Sequence, residues 1–259
     1  MLTFRNTNIF FACLLIILIT FDILYDLPYP VATAVFVSLV YSLILFYGCY
    51  YIRSDFFMKV YNLAKTNQKE IAISFDDGPV DNLTLQILAT LKQHDVKAIF
   101  FCIGNRIPGN EKIFKQISDD DHIIGNHSYT HHFFFDLFSS KKMLHELKMM
   151  NRLTLKVTGL KLKLFRPPYG VLNPNLRKAI LDGNFIPVGW SVRSMDTVIK
   201  DQAKLFTRII RRLKPGAVYL FHDTSEVTVA ILPAFIKHVK DQGYNIVRLD
   251  KMLDLQPYA

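Results

Sequence analysis

Residues 74–79 read SFDDGP and close the apolar run IAISF that begins at Ile71. Two adjacent carboxylates repel each other, and a regular strand would point them to opposite faces. By itself DDGP is also the composition of a solvated turn, since Asp, Gly and Pro each favour tight turns. The doublet carries chemistry only if the rest of the chain supplies partners for it.

Downstream, a regular alternation sets in. Short apolar, β-branched or aromatic runs recur as IAISF, AIFFCI, HIIGNHS, LFRPP, FIPVGWSV, AVYLFHD and NIVRL. Amphipathic stretches at 82–94, 141–158, 173–183, 202–213 and 227–242 lie between them. Strands taking turns with helices predict parallel βα units in an α/β fold. Seven strands, with no GxGxxG after the first, predict a closed or nearly closed barrel rather than a dinucleotide-binding sheet. In such barrels the carboxyl ends of the strands form the active face, and SFDDGP ends the first strand.

Upstream the chain is of another kind. Apolar residues make up 51% of the 259 positions, high for a purely soluble protein, and the excess sits at the front. Residues 9–24 run IFFACLLIILITFDIL and residues 31–51 run VATAVFVSLVYSLILFYGCYY. The second is long enough to cross a hydrocarbon core, which takes about 20 residues, and the first is marginal because it carries Asp22. DLPYP between them breaks the helix. The expected organisation is a membrane hairpin over 1–53, a polar connector over 54–70 and the βα domain over 71–259. A cleaved signal peptide is the competing reading of the first segment, but no small-residue cleavage site precedes Asp26.

Two spans would place the amino terminus and the βα domain on the same side of a membrane. Arg5, Arg53, Lys59 and Lys65 flank the outer ends, whereas the connecting segment holds only Asp22 and Asp26. The positive-inside rule then points to the cytoplasm, although the lysines near Lys65 can equally belong to the folded domain, so the side stays open. A net charge of +9 suits an anionic membrane surface. The basic residues are scattered apart from Arg211 and Arg212, without interleaved aromatics, which argues against a nucleic-acid partner. Cys13, Cys49 and Cys102 show neither CxxC nor disulfide spacing and read as packing residues.

The polar residues that end the other strands are the candidate partners of the doublet. GNHSYTHH places His127 and His131 four apart, a spacing that lets two imidazoles reach one metal if the segment forms a helical turn; His132 would point elsewhere. Alone, HxxxH is more often surface or core histidine. With a strand-end Asp it completes a three-ligand set with open positions, as a catalytic metal requires. FRPPYG offers Arg166, able to hold a carboxylate by paired hydrogen bonds, and the N–H groups of Tyr169 and Gly170 as a candidate oxyanion hole. In YLFHD, period-two alternation puts Leu220 and His222 on one face and Asp223 on the other, making His222 a candidate general acid. His94, His122, His145 and His238 match no site and read as structural.

SFDDGP, HSYTH, RPPYG and LFH, in that order, resemble the homology motifs of the NodB polysaccharide deacetylase family, carbohydrate esterase family 4. The resemblance runs from about Ile71 to the carboxyl terminus and leaves the hairpin outside. It implies a deformed seven-stranded (β/α) barrel and metal-dependent removal of N-acetyl groups from amino sugars, usually with Zn2+. It also implies roles: Asp76 as general base, Asp77, His127 and His131 as metal ligands, Arg166 orienting the base, and His222 as general acid. Adjacency in the doublet then has a purpose, because a cation neutralises one carboxylate while its neighbour stays free to take a proton.

One motif departs from the family pattern. WSVRSMDT, residues 190–197, resembles WSVDSxDW with Arg193 in place of the first Asp and Thr197 in place of the Trp. Asp196 remains, at the position that would pair with His222 and raise its pKa. Alternation counted from Trp190 predicts that Arg193 points away from the pocket. Three functions follow from the resemblance. The first is deacetylation of a glycan, the second is deacylation or deformylation of a sugar on a lipid phosphate at the membrane, and the third is a degenerate carbohydrate-binding protein. The intact base, ligands, Arg166 and His222 argue against the third.

Overall fold

The computed structural model describes residues 2–26 and 30–259. Two apolar helices, α1 (Phe4–Tyr25) and α2 (Pro30–Tyr50), come first, followed by β1 (Glu70–Asp76), α3 (Leu83–Gln93), β2 (Ile99–Cys102), α4 (Glu111–Asp119) and β3 (Ile123–Asn126). Then come α5 (Ser140–Thr158), β4 (Leu164–Phe165), α6 (Pro174–Gly183), β5 (Ile186–Pro187), β6 (Val192–Arg193), α7 (Gln202–Ile210), β7 (Ala217–His222), α8 (Glu226–Asp241), β8 (Asn245–Ile246) and α9 (Leu249–Leu253). The strands lie in the order β5-β4-β3-β2-β1-β7-β6, all parallel, and β8 pairs with the start of β1.

This curled seven-stranded parallel sheet is the deformed (β/α) barrel expected from the sequence, with one difference. The run FIPVGWSV is two short strands rather than one. β5 pairs with β4 at one edge and β6 pairs with β7 at the other, and only Gly189 and Trp190 lie between the two attachments: the Val188 N–H donates to Phe165 and the Ser191 N–H to Val218. A single stretch of chain thereby bridges the two edges of the sheet. The last run, NIVRL, lies off the main path as β8.

Period two sorts the strands into interior layers. Ala72, Ile99, Ile123, Leu164 and Val218 form a buried layer against Leu249 of α9. One step up lie Ser74, Phe101, Gly125, Arg166 and Leu220, and above them Asp76, His127 and His222. Alternate residues such as Ile71, Ile73, Phe75 and Phe221 face outward into the core shared with α3, α7 and α8. Gly125 is required in the middle layer, because a Cβ there would lie 2.4 Å from the Phe101 ring. α4, not foreseen from sequence, is a nine-residue helix without a side-chain cap that buries Ile113, Phe114 and Ile117.

The stretch expected to be a polar connector is instead packed. Phe56, Phe57, Val60 and Ala64 are buried. The Tyr61 N–H donates to Pro187, the Gly189 N–H to Tyr61, and the Ala64 N–H to Gly216. Residues 61–64 thus run alongside the open seam between β5 and β7. α1 and α2 are each about 30 Å long at 1.5 Å per residue, with mean hydropathies of 2.3 and 2.0 over windows that are 6% buried. Both are long and apolar enough to cross a bilayer. Tyr41 donates to Asn8 between them at 2.9 Å. The expected break at DLPYP includes residues 27–29, which lie outside the described residues.

Candidate active site

Asp77, His127 and His131 bring one ligand atom each to within 4.8 Å of one another. His127 Nε2 and His131 Nε2 each lie 3.6 Å from Asp77 Oδ1. The His127 Nδ1–H donates to the Arg166 carbonyl at 2.8 Å, which leaves the Nε2 lone pair facing the cluster. Burial pushes both imidazoles down to about 4, the charge on Asp77 partly opposing this at His127 and the neighbouring His127 reinforcing it at His131. Both rings are therefore neutral at pH 7, as metal ligation requires.

The convergence of His127 and His131 does not come from a helical turn. His127 directly follows β3, and the chain reaches His131 through a loop in which Ser128 and His131 have φ of 64° and 47°. The Ser128 hydroxyl accepts the His131 N–H, and Asn126 Oδ1 accepts that of Ser128. Buried Glu146 on α5 accepts both the N–H and the hydroxyl of Thr130. None of Asn126, Ser128 or Glu146 stood out in the sequence, because hydrogen bonding to a loop from a distant helix leaves no local pattern. His132 is exposed and packs against Phe138, outside the cluster.

The doublet is splayed by its turn. Asp76 still belongs to β1 and points inward, whereas Asp77 has left the strand with φ of 80°. Gly78 follows where a Cβ would come within 1.8 Å of Asp223 Oδ2, so only Gly fits against that carboxyl group. Asp223 lies on the opposite face from His222, accepts the Thr84 hydroxyl, and is pushed up to about 7 by burial.

Arg166 Nη1 donates to Asp76 Oδ1 at 2.6 Å and to Ser74 at 2.8 Å. Its remaining donors go to the carbonyls of Val188 and Gly189, and its guanidinium stacks 4.1 Å from the Phe101 ring centroid. The grip on Asp76 is one hydrogen bond rather than the expected pair, and the other donors tie the arginine to the seam after β5. Asp76 Oδ2 is left 3.8 Å from His127 Nε2. Burial raises Asp76 to about 6 even against the charge of Arg166, so it is a stronger base than an ordinary carboxylate.

His222 pairs in register with Asp76 on the neighbouring strand. Its Nδ1–H donates to Asp196 Oδ1 at 2.8 Å, and its backbone N–H to Asp196 Oδ2 at 2.7 Å. The hydroxyls of Ser194 and Thr228 complete the shell of Asp196, which is fully buried. Burial disfavours imidazolium at His222, but the hydrogen bond and charge of Asp196 outweigh it and the pKa is raised. Asp196 itself is held below the usual range, its own burial being overcome by His222 and Thr228.

Asp76, Asp77, His127, His131, Tyr169, Trp190, Arg193, Thr197, Leu220 and His222 line one cavity of about 190 Å³. Tyr169 has φ of 59°, and its N–H finds no acceptor among the described residues, whereas that of Gly170 donates to Pro167. Arg193 lines this cavity as well, which corrects the outward orientation expected from alternation. A bend at Ser191 breaks the count: Val192 faces the outer core, and Arg193 pairs with inward-facing Leu220. The guanidinium lies 5.9 Å from the Trp190 ring centroid.

A parallel barrel whose upper rim presents a carboxylate and an imidazole on paired strands, beside a carboxylate–imidazole cluster, is an arrangement suited to hydrolysis at the strand ends. Comparison with known proteins makes the class specific. The sequence profile of the polysaccharide deacetylase family matches residues 64–185. A peptidoglycan-N-acetylglucosamine deacetylase of Bacillus cereus is 35% identical over 187 residues, 68% of each chain. Peptidoglycan-N-acetylmuramic acid deacetylase PdaA of Bacillus subtilis is 32% identical over 195 residues, 74% of each chain. The crystal structure of the Bc1960 peptidoglycan N-acetylglucosamine deacetylase superposes with a TM-score of 0.73 at 29% identity, covering 77% of this chain and 95% of that one. The chain belongs to the polysaccharide deacetylase family, carbohydrate esterase family 4, and is a polysaccharide deacetylase.

Proposed function

We propose that this polysaccharide deacetylase is a metal-dependent N-deacetylase of amino sugars in a peptidoglycan-type glycan, held at a membrane by α1 and α2. The observation that carries the reading is the cavity in which Asp76 and His222, on register-paired strand ends, flank the Asp77, His127 and His131 cluster. The named activities of the two curated relatives supply the substrate class.

Two neutral imidazoles and a carboxylate fit a divalent cation, and this mixture of nitrogen and oxygen donors favours Zn2+. Bound by Asp77, His127 and His131, the ion would supply Lewis acidity to the amide carbonyl and to the attacking water. Asp76 Oδ2 takes a proton from that water as the oxygen adds to the carbonyl carbon, Oδ1 being held by Arg166. The Tyr169 N–H donates to the oxygen on which negative charge develops. His222, with Nδ1–H on Asp196, carries its acidic proton on Nε2 and delivers it to the nitrogen as the C–N bond breaks. The products are a free amino sugar and acetate.

The decisive measurement is acetate release from peptidoglycan fragments and N-acetylated oligosaccharides by the full chain, with and without added Zn2+. Metal-dependent acetate release, matched by loss of acetyl mass from the sugar, is the expected result. A folded, metal-loaded protein that released none from any N-acetylated glycan would overturn the reading. A second reading, deacylation of an amino sugar on a lipid phosphate, is favoured by one observation: α2 meets the barrel beside the cavity, where Leu172 donates its N–H to Cys49. The same assay on lipid-linked sugars separates the two.

A further inference from the structure

We propose that residues 132–138 form a second membrane contact, in which Phe133, Phe134 and Leu137 enter the interfacial layer of a lipid bilayer and hold the mouth of the catalytic cavity against its surface. The inference rests on the reading of α1 and α2 as membrane spans and adds where the active face lies relative to them.

The course of the chain orients the barrel. Cys49, in the last turn of α2, accepts a hydrogen bond from Leu172, beyond the carboxyl end of β4. By Ala64 the chain has reached Gly216, just before the amino end of β7. Residues 49–64 therefore descend the full height of the barrel, starting from the face that carries the cavity. The hairpin leaves the domain at its active rim and not at its base.

The loop after the metal-ligand cluster lies beside that exit. Phe135 and Phe138 are buried in one cluster with Phe56 and Phe57, against which Phe4, Leu45 and Cys49 of the hairpin also pack. Asn173 Nδ2, next to Leu172, donates to the Asp136 carbonyl at 2.6 Å. The loop's other apolar side chains point outward: Phe133 is 72% exposed, Phe134 52% and Leu137 74%. Water-exposed apolar groups gain by transfer to a bilayer interface, and exposed Lys141 and Lys142 beside them complement anionic headgroups. The patch is continuous with the site, since the Phe133 ring lies 6.1 Å from Tyr169 and Tyr169 lies 4.7 Å from His131. A cavity so placed selects sugars close to the bilayer surface.

The test uses the full chain reconstituted in phosphatidylglycerol vesicles with bromine on the acyl chains. Leu137→Trp probes the loop and Phe36→Trp, within α2, probes the span, each read against the signal of Trp190, the native tryptophan. Quenching of both probes is expected. Quenching at position 36 with a fully water-exposed spectrum at 137 would leave the spans standing and overturn the inference; quenching at neither would overturn both. As a functional arm, Leu137→Glu should lower turnover of a lipid-anchored N-acetylated saccharide in such vesicles by about ten-fold, the penalty of placing a charge at the interface. Turnover of a soluble oligosaccharide should be unchanged. An equal fall on both substrates would assign the loop to sugar binding and overturn the membrane contact.

Discussion

The turn after β1 and the segment 188–197 reach the same cavity from two different kinds of strand. β1 is seven residues long, pairs with β7 over six positions, and keeps a strict in–out alternation up to Asp76. The segment 188–197 holds one two-residue strand and crosses from one edge of the sheet to the other. Long pairing on both sides fixes which way a side chain points, whereas a bend between short pairings releases it. The rigid turn carries the proposed base and one proposed metal ligand, and the bent segment carries Asp196 and the non-consensus Arg193.

Substitutions within the rigid turn should produce the largest effects and should separate its two carboxylates. Asp77→Asn, or His131→Ala, is expected to strip divalent metal from the folded protein and to reduce turnover by about 10³-fold or more, since Lewis acidity supplies several kcal/mol. Metal analysis of the purified variants checks this, and stoichiometric metal retained in His131→Ala would identify the wrong ligands. Asp76→Asn should instead keep the metal and lose about 10²-fold or more in kcat, as expected for removal of a positioned base. Equal metal loss in both doublet variants would erase the division of labour.

The bent segment should respond through pH rather than through metal. In its proposed role as the acid His222 must be protonated, and Asp196 raises its pKa by hydrogen bond and charge. Asp196→Asn removes the charge, so His222 loses its proton at lower pH and the basic limb of the pH–rate profile moves down. Turnover near neutrality should fall about ten-fold or more. An unmoved basic limb would show that another group sets it.

What the sequence made legible follows the same division. The barrel and the convergence of Asp76, Arg166 and His222 at one end of it could be read because each sits at the end of an apolar run of fixed parity. The loop that brings His131 back to His127 could not, since it depends on left-handed residues and on Glu146 reaching in from α5. The packing of residues 54–64 escaped for a related reason. Residues 61–64 run along the seam between the sheet's two edges, while Phe56 and Phe57 pack against Phe135 and Phe138, contacts with distant segments that leave no local pattern. Arg193 was misplaced by the bend at Ser191, and no periodicity argument detects a bend.

Arg193 gives the smallest and most discriminating effect. Its guanidinium lines the cavity but is exposed, so solvent and salt screen its charge. A nearby cation disfavours imidazolium, so Arg193→Ala should move the basic limb upward, opposite to Asp196→Asn, and by much less. The limb reports the charge at His222, whereas KM reports contacts with the sugar, and the two separate in one experiment. An inward arginine beside Trp190 is suited to meet an anionic substituent by charge-assisted hydrogen bonds. KM for a peptide-free muramic-acid-containing glycan, whose lactyl carboxylate is unsubstituted, should therefore rise about ten-fold in Arg193→Ala at nearly constant kcat. KM for a neutral N-acetylglucosamine oligomer should stay the same. Equal changes in KM on both glycans would mean that Arg193 shapes the wall through Trp190 and does not read charge.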